Sequence, residues 1–189
     1  MKIGIISDTH GIPGAWQKAM KIFDGADLIL HAGDVLYHPP RLGCTPGYDL
    51  VGLVNKINNS PIPVVIARGN CDCEVYEELL KTPPLSPYAF IQYADLRILV
   101  LHGHNTTPEQ MKVLADRYHA DVMVTGHTHL PVIERIGNSV HINPGSPSHP
   151  KYEVNSVPTP SVGIIMDGKV SVVELETGRE LMSQAIIVT

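Results

Sequence analysis

Lys2-Ile3-Gly4-Ile5-Ile6-Ser7-Asp8-Thr9-His10-Gly11 couples an apolar run of strand length to a tight cluster of acid, imidazole and glycine. The pattern recurs down the chain. Asp27–Leu30 runs into His31-Ala32-Gly33-Asp34, and Ile62–Ala67 into Arg68-Gly69-Asn70-Cys71-Asp72. Leu96–Leu101 runs into His102-Gly103-His104, and Asp121–Val124 into Thr125-Gly126-His127-Thr128-His129. These runs are rich in Ile, Val and Leu and do not alternate with polar residues, as expected of strands covered on both faces.

Helical patterns separate them. Gly14–Phe23 places Trp16, Ala19, Met20 and Phe23 on one stripe, and Tyr48–Ile57 does the same with Leu50, Leu53, Val54 and Ile57. Pro108–His119 starts with Pro in the first turn behind Thr107, a good N-cap. Such alternation predicts a layered α/β domain. After Pro131 the runs Val132–Ile136, Ser139–Ile142, Val162–Met166 and Val170–Leu175 are divided by Gly137-Asn138 and Asp167-Gly168, both favoured hairpin turns. The C-terminal third therefore reads as mostly antiparallel sheet. Leu36–Gly47 and Asn143–Pro160 are rich in proline and read as loops, and loops this long are often functional. The expectation is a single domain over residues 1–189, with two sheets packed together and helices outside.

Composition narrows the function. The 189 residues carry 14 Lys+Arg against 19 Asp+Glu, a net charge of −5. That balance argues against sequence-independent nucleic-acid binding, which needs a basic face. Cys44, Cys71 and Cys73 make an odd set, not a disulfide framework. No apolar run reaches the length of a membrane span. The reading is a soluble cytoplasmic protein. The unusual feature is ten His, since imidazole is the commonest metal ligand and titrates near neutrality.

In layered α/β folds, ligands sit beyond the carboxyl ends of the strands. The five strand ends deliver Asp8 and His10, Asp34, Asn70, His102, and His127 and His129. Without a cation, so many polar groups are costly to bring together. Mixed nitrogen and oxygen donors without thiolate suit Mn, Fe, Zn or Co. Seven donors exceed one tetrahedral shell, which points to two ions, the usual device for in-line displacement at phosphorus.

Asp8-x-His10, Gly33-Asp34, Gly69-Asn70, His102-Gly103-His104 and Gly126-His127-x-His129, in this order, resemble the motifs of calcineurin-like metallophosphoesterases. Arg68-Gly69-Asn70-Cys71-Asp72, Gly126-His127-Thr128-His129-Leu130-Pro131-Val132 and Asn143-Pro144-Gly145-Ser146 look most like the small bacterial phosphodiesterase subgroup. The resemblance implies a four-layer αββα sandwich of two mixed β-sheets flanked by helices. It implies that Asp8, His10 and His129 hold one divalent ion, Asn70, His102 and His127 the other, and that Asp34 bridges them. Manganese is the first expectation, with Fe, Zn, Co or Ni as alternatives. A bridging hydroxide would attack a small phosphate ester. Two ions, two carboxylates and one hydroxide leave a net positive pocket that attracts phosphate even in an acidic protein.

One position departs from that family. Many members carry His directly after the motif Asn, placed to protonate the leaving group. Here it is Cys71, and a thiol is a poor replacement for that acid. The candidate catalytic residues are Asn70 and His104, the latter as a helper acid or only as a group that orients His102. Arg68, His38 and Arg41 are candidate substrate contacts, although an Arg beside a strand end, as Arg68 is, more often makes a structural ion pair. Asp72 reads as a turn or cap residue, the thiols of Cys71 and Cys73 as incidental, and His31, His119, His141 and His149 as structural. A homo-oligomer is an open expectation. The competing readings are a non-catalytic scaffold like the retromer subunit of this fold, and a metal-dependent nuclease; the full ligand set and the acidic charge argue against each in turn.

Overall fold

The computed structural model describes residues 1–37, 45–84 and 87–187. In chain order the elements are β1 (Lys2–Ile6), α1 (Pro13–Ile22), β2 (Leu28–His31), α2 (Leu50–Asn58), β3 (Val64–Ile66), α3 (Tyr76–Leu79), β4 (Ala89–Tyr93), β5 (Leu96–Val100) and α4 (Pro108–Tyr118). There follow β6 (Val122–Val124), β7 (Pro131–Ile136), β8 (Ser139–Pro144), β9 (Glu153–Val154), β10 (Val157–Pro158), β11 (Ser161–Met166), β12 (Lys169–Glu174) and β13 (Glu180–Ala185). Among the described residues, one sheet has the order β13-β12-β11-β1-β2-β3 and the other β4-β5-β6-β8-β7. Both are mixed: β1, β2 and β3 run parallel, as do β5, β6 and β8, while their outer neighbours are antiparallel.

The apolar runs lack alternation because each strand faces two apolar layers. Ile3 and Ile5 of β1, Leu30 of β2, Ile98 and Val100 of β5, and Val122 and Val124 of β6 pack between the sheets. The opposite faces serve the helices. Ile6 and Ile29 meet Trp16, Ala19, Phe23, Leu53 and Ile57 from α1, α2 and their ends. Leu99 and Met123 meet Met111 and Ala115 of α4. The result is the expected αββα sandwich. Gly4 makes the first outer layer possible, since a Cβ there would lie 2.7 Å from the Phe23 ring.

Local signals set most boundaries. Pro13 occupies the first turn of α1. The Asp49 side chain accepts from Gly52 N at 2.8 Å, so α2 begins two residues later than the Tyr48 start its stripe suggests. Thr107 is the N-cap of α4, as expected, and with Gln110 it forms a reciprocal capping box. Gly137-Asn138 and Asp167-Gly168 close two-residue hairpins with the registers Ile136↔Ser139 and Met166↔Lys169.

The C-terminal third is mostly antiparallel, as expected, apart from the parallel pairing of β8 with β6. Two expectations need correction. Asn143–Pro160 is not all loop: β8 extends to Pro144, and β9 and β10 form a small hairpin. The edge strands β4 and β13 lie outside the sequence-predicted set; each exposes much of one face and so lacks a continuous apolar run. No helix among the described residues is long and apolar enough to cross a membrane.

Candidate metal centre

The parallel strands of both sheets end at one edge, and the loops beyond them interlock there. Asp8 N donates to Gly33 O (2.9 Å), His10 N to Asp34 O (3.0 Å) and Gly11 N to Val35 O (2.8 Å), which zips the β1 and β2 loops together. Gly126 N donates to His102 O (3.1 Å), joining the β5 and β6 loops. His127 N donates to Asp8 Oδ2 (2.9 Å) and ties one sheet's loops to the other's. Gly33, at φ +94°, is required for this packing: a Cβ would lie 2.6 Å from Gly69 N.

Asp8, His10, Asp34, His127 and His129 all have positive φ, between 46° and 69°. This left-handed conformation costs a non-glycine residue roughly 1–2 kcal/mol. Its concentration on the residues singled out from sequence marks a functional site held in place by its surroundings.

The polar atoms converge. Asp8 Oδ1 lies 3.3 Å from His129 Nε2, 3.8 Å from His10 Nε2 and 4.0 Å from His102 Nε2. Asp34 Oδ2 and Asn70 Oδ1 lie 3.3 and 3.1 Å from His102 Nε2. His10 Nε2 and His129 Nε2 are 3.1 Å apart. The ring of His127 lies 5.2 Å from that of His102. Two groups, Asp8–His10–His129 and Asp8–Asp34–His102, have ligand atoms close enough to hold an ion each. Asp8 Oδ1 is buried and has no hydrogen-bond partner among the described residues. A carboxylate oxygen in that state is expensive unless a cation meets it, and the surrounding Asp and His donors fit a metal ion.

The rings are set for ligation. His102 Nδ1 donates to Ala32 O at 2.7 Å and His129 Nδ1 to His149 O at 2.6 Å, which fixes the tautomer and turns the Nε2 lone pair inward. Burial opposes ionisation of Asp8 and Asp34, yet neighbouring imidazoles and donated hydrogen bonds keep both carboxyls below the usual carboxylate range. Burial pushes His10 down to about 4, so it is neutral at pH 7. His102 is different: burial works against its charge, but Asp34 and Asp8 raise its pKa to about 8.

The remaining candidates divide. His104 stands beside the centre, its ring 5.5 Å from that of His102 and its pKa lowered by partial burial and that neighbour. Arg68 forms an ion pair with Glu77. His38 and Arg41 lie outside the described residues. Burial and the nearby carboxylates raise the Cys71 thiol to about 12, while its backbone N–H donates to Asp34 Oδ1 at 2.8 Å. Asp72 caps the loops as expected, with Oδ2 accepting from Asp34 N and Gly69 N and Oδ1 from Val35 N. His31 is structural: Nδ1 accepts from Gly33 N and Nε2 donates to Thr9 Oγ1.

His149, read from sequence as structural, lies beside the centre. Its ring packs edge-on against His10 at 5.2 Å, and its carbonyl orients His129. Ser146 and Ser148, from the same turn, also reach the centre by donating to the Asp8 carbonyl. In the sequence, the proline-rich length of Asn143–Pro160 and the motif Asn143-Pro144-Gly145-Ser146 point to this turn.

Residues 1–163 match the calcineurin-like phosphoesterase superfamily domain. Phosphodiesterase YfcE of Escherichia coli strain K12 is 39% identical over 153 residues, covering 80% of this chain and 82% of that protein. The solved structure of YfcE, a phosphoesterase from E. coli, superposes with a TM-score of 0.85 at 34% identity, covering 99% of this chain and 100% of the other. A zinc complex of Vps29 from Entamoeba histolytica is similar in fold alone, with a TM-score of 0.66 at 18% identity over the full length of both chains.

Proposed function

From the premise that the chain belongs to the calcineurin-like phosphoesterase family and is a hydrolase of phosphoric esters, we propose that it is a phosphodiesterase with a dinuclear divalent-metal site. The observation that carries this reading is the buried, unpartnered Asp8 Oδ1 facing the Nε2 atoms of three imidazoles. Asp8, His10 and His129 would hold one ion, Asn70, His102 and His127 the other, with Asp34 between them; manganese is the ion of first choice. Such ions supply Lewis-acid charge to the phosphoryl oxygens and acidify the attacking water.

The chain's own residues have definable tasks. Asp8 and Asp34, held ionised, neutralise part of the cationic charge and leave the pocket attractive to an anionic ester. Neutral His10 keeps its lone pair for ligation. The Asn70 amide presents its oxygen beside His102 and contributes no charge. Cys71 stays a protonated thiol and is too weak an acid to serve the leaving oxygen. His104 is the remaining imidazole on that side, and esters whose leaving groups depart unprotonated are the favoured substrates. The complete ligand set disfavours a scaffold role, and the net charge of −5 disfavours a nuclease.

The test is a panel of phosphomonoesters and phosphodiesters, including bis-p-nitrophenyl phosphate, assayed with metal-free and Mn²⁺-reconstituted protein. Hydrolysis should require the ion and be fastest on aryl diesters. Full activity in protein shown by elemental analysis to be metal-free would refute the proposal.

A further inference from the structure

Every polar atom of Asp8 but one is tied down. Its amide donates to Gly33 O, and its Oδ2 accepts from Ser7 Oγ (2.6 Å) and His127 N (2.9 Å). Its carbonyl accepts two hydroxyls, from Ser146 (2.9 Å) and Ser148 (2.8 Å). Only Oδ1 is left over, and it points at the ligand imidazoles.

The turn that supplies these hydroxyls is itself rigid. Ser146 is fully buried, and its Oγ accepts from His149 N (2.9 Å) and Ser148 N (3.3 Å). Asn143, also buried, caps the turn by accepting from Gly145 N and donates to Gly126 O and Thr128 Oγ1. The same turn grips His129 from two sides. His149 O accepts from His129 Nδ1 (2.6 Å), and Lys151 N donates to His129 O (3.2 Å). Of the residues expected to hold the other ion, His127 also leans on Asp8 through its amide, while His102 and Asn70 have different supports. Ala32 O holds His102, and the Asp72 carboxylate holds the Gly69 and Asp34 amides that flank Asn70 and the bridge.

We infer that Ser146 and Ser148 are positioning residues chiefly for one ion position, that of Asp8, His10 and His129, since Asp8 Oδ1 lies nearer His129 and His10 (3.3 and 3.8 Å) than His102 (4.0 Å). The inference rests on the dinuclear reading above. Two hydroxyls on one carbonyl fix the Asp8 peptide plane, and with it a backbone at φ +54° that a non-glycine residue does not adopt freely. Once they are lost, the peptide can turn and carry Oδ1 away from His10 and His129. Groups that orient metal ligands typically set affinity by roughly 10- to 100-fold.

The experiment is a Mn²⁺ titration of metal-free wild type, Ser148→Ala, Ser148→Thr and the double variant Ser146→Ala/Ser148→Ala. Stoichiometry is read by calorimetry, and the bound ions are located by anomalous scattering from crystals. Wild type should bind two ions. Ser148→Ala should weaken one of them by about 10-fold and the double variant by up to about 100-fold. The other ion should weaken markedly less, and the residual density should lie at Asn70–His102–His127. Ser148→Thr keeps the hydroxyl and should bind like wild type. Thermal unfolding of the metal-free proteins verifies the fold, and if the double variant does not fold, Ser148→Ala decides. Equal weakening at both positions, unchanged binding, or an ion remaining at Asp8–His10–His129 would overturn the inference with the dinuclear reading intact. A wild type that binds fewer than two ions would overturn both.

Discussion

Lowering the pH should remove the ion at the His102 position, and the size of the effect follows from the site's own electrostatics. An imidazole ligates only when neutral. In the metal-free protein Asp34 and Asp8 outweigh burial and raise His102 from 6.5 to about 8. At pH 7 only about a tenth of the molecules then have His102 neutral, and at pH 6 about a hundredth. Affinity at this position should fall about tenfold for each pH unit below 8, and at pH 7 binding should release about one proton from His102. His10, already neutral well above its pKa of about 4, releases none. The same shift governs the metal-free fold with the opposite sign. A raised folded pKa stabilises the protein fully below the unfolded value of 6.5, and this contribution is lost as pH rises through about 8. The rise corresponds to about 2 kcal/mol. This His102 contribution should therefore be lost from pH 6 to pH 9, while Mn²⁺ affinity climbs over the same range. It is read as a metal-free stability difference between wild type and His102→Ala that shrinks over that range, because the lowered pKa values of His10 (about 4) and His31 (about 3) work in the opposite direction in both proteins. Calorimetric titrations in buffers of differing ionisation heat give the proton count, and thermal melts at each pH give the stability. Flat affinity from pH 6 to 8 with no proton release would refute the argument.

Other perturbations probe separate parts of the centre. Asp34→Asn removes the charge expected to lie between two cations, and should lower ion occupancy or kcat by about a hundredfold or more in elemental analysis and steady-state assays. Cys71→His should raise hydrolysis of alkyl esters more than that of aryl esters, within the roughly 10²–10⁴-fold that a general acid contributes; wild-type rates already independent of leaving-group basicity would assign the acid to another residue, His104 first. Gly33→Ala drives a Cβ onto the Gly69 backbone at φ +94° and should cost about 1–3 kcal/mol in chemical denaturation while displacing Asp34.

The sequence by itself determined the layers and the position of the centre. Apolar runs without alternation signal strands covered on both sides, and Ser7-Asp8-Thr9-His10-Gly11 and its counterparts lie where such strands end. Thr107 and Pro108 specify the start of α4, and Asp167-Gly168 a hairpin, because caps and turns depend on near neighbours. Only the tertiary structure decided the edge strands β4 and β13, whose half-exposed faces carry weak periodic signals. It alone decided that Arg68 meets Glu77, that Asp8 Oδ1 is buried without a hydrogen-bond partner among the described residues, and that His149 borders His10. The contact from Ser146 to Asp8 spans 138 residues. Such a bond forms only once the two sheets have packed and brought their loop edges together, and no local pattern in the chain encodes that distance.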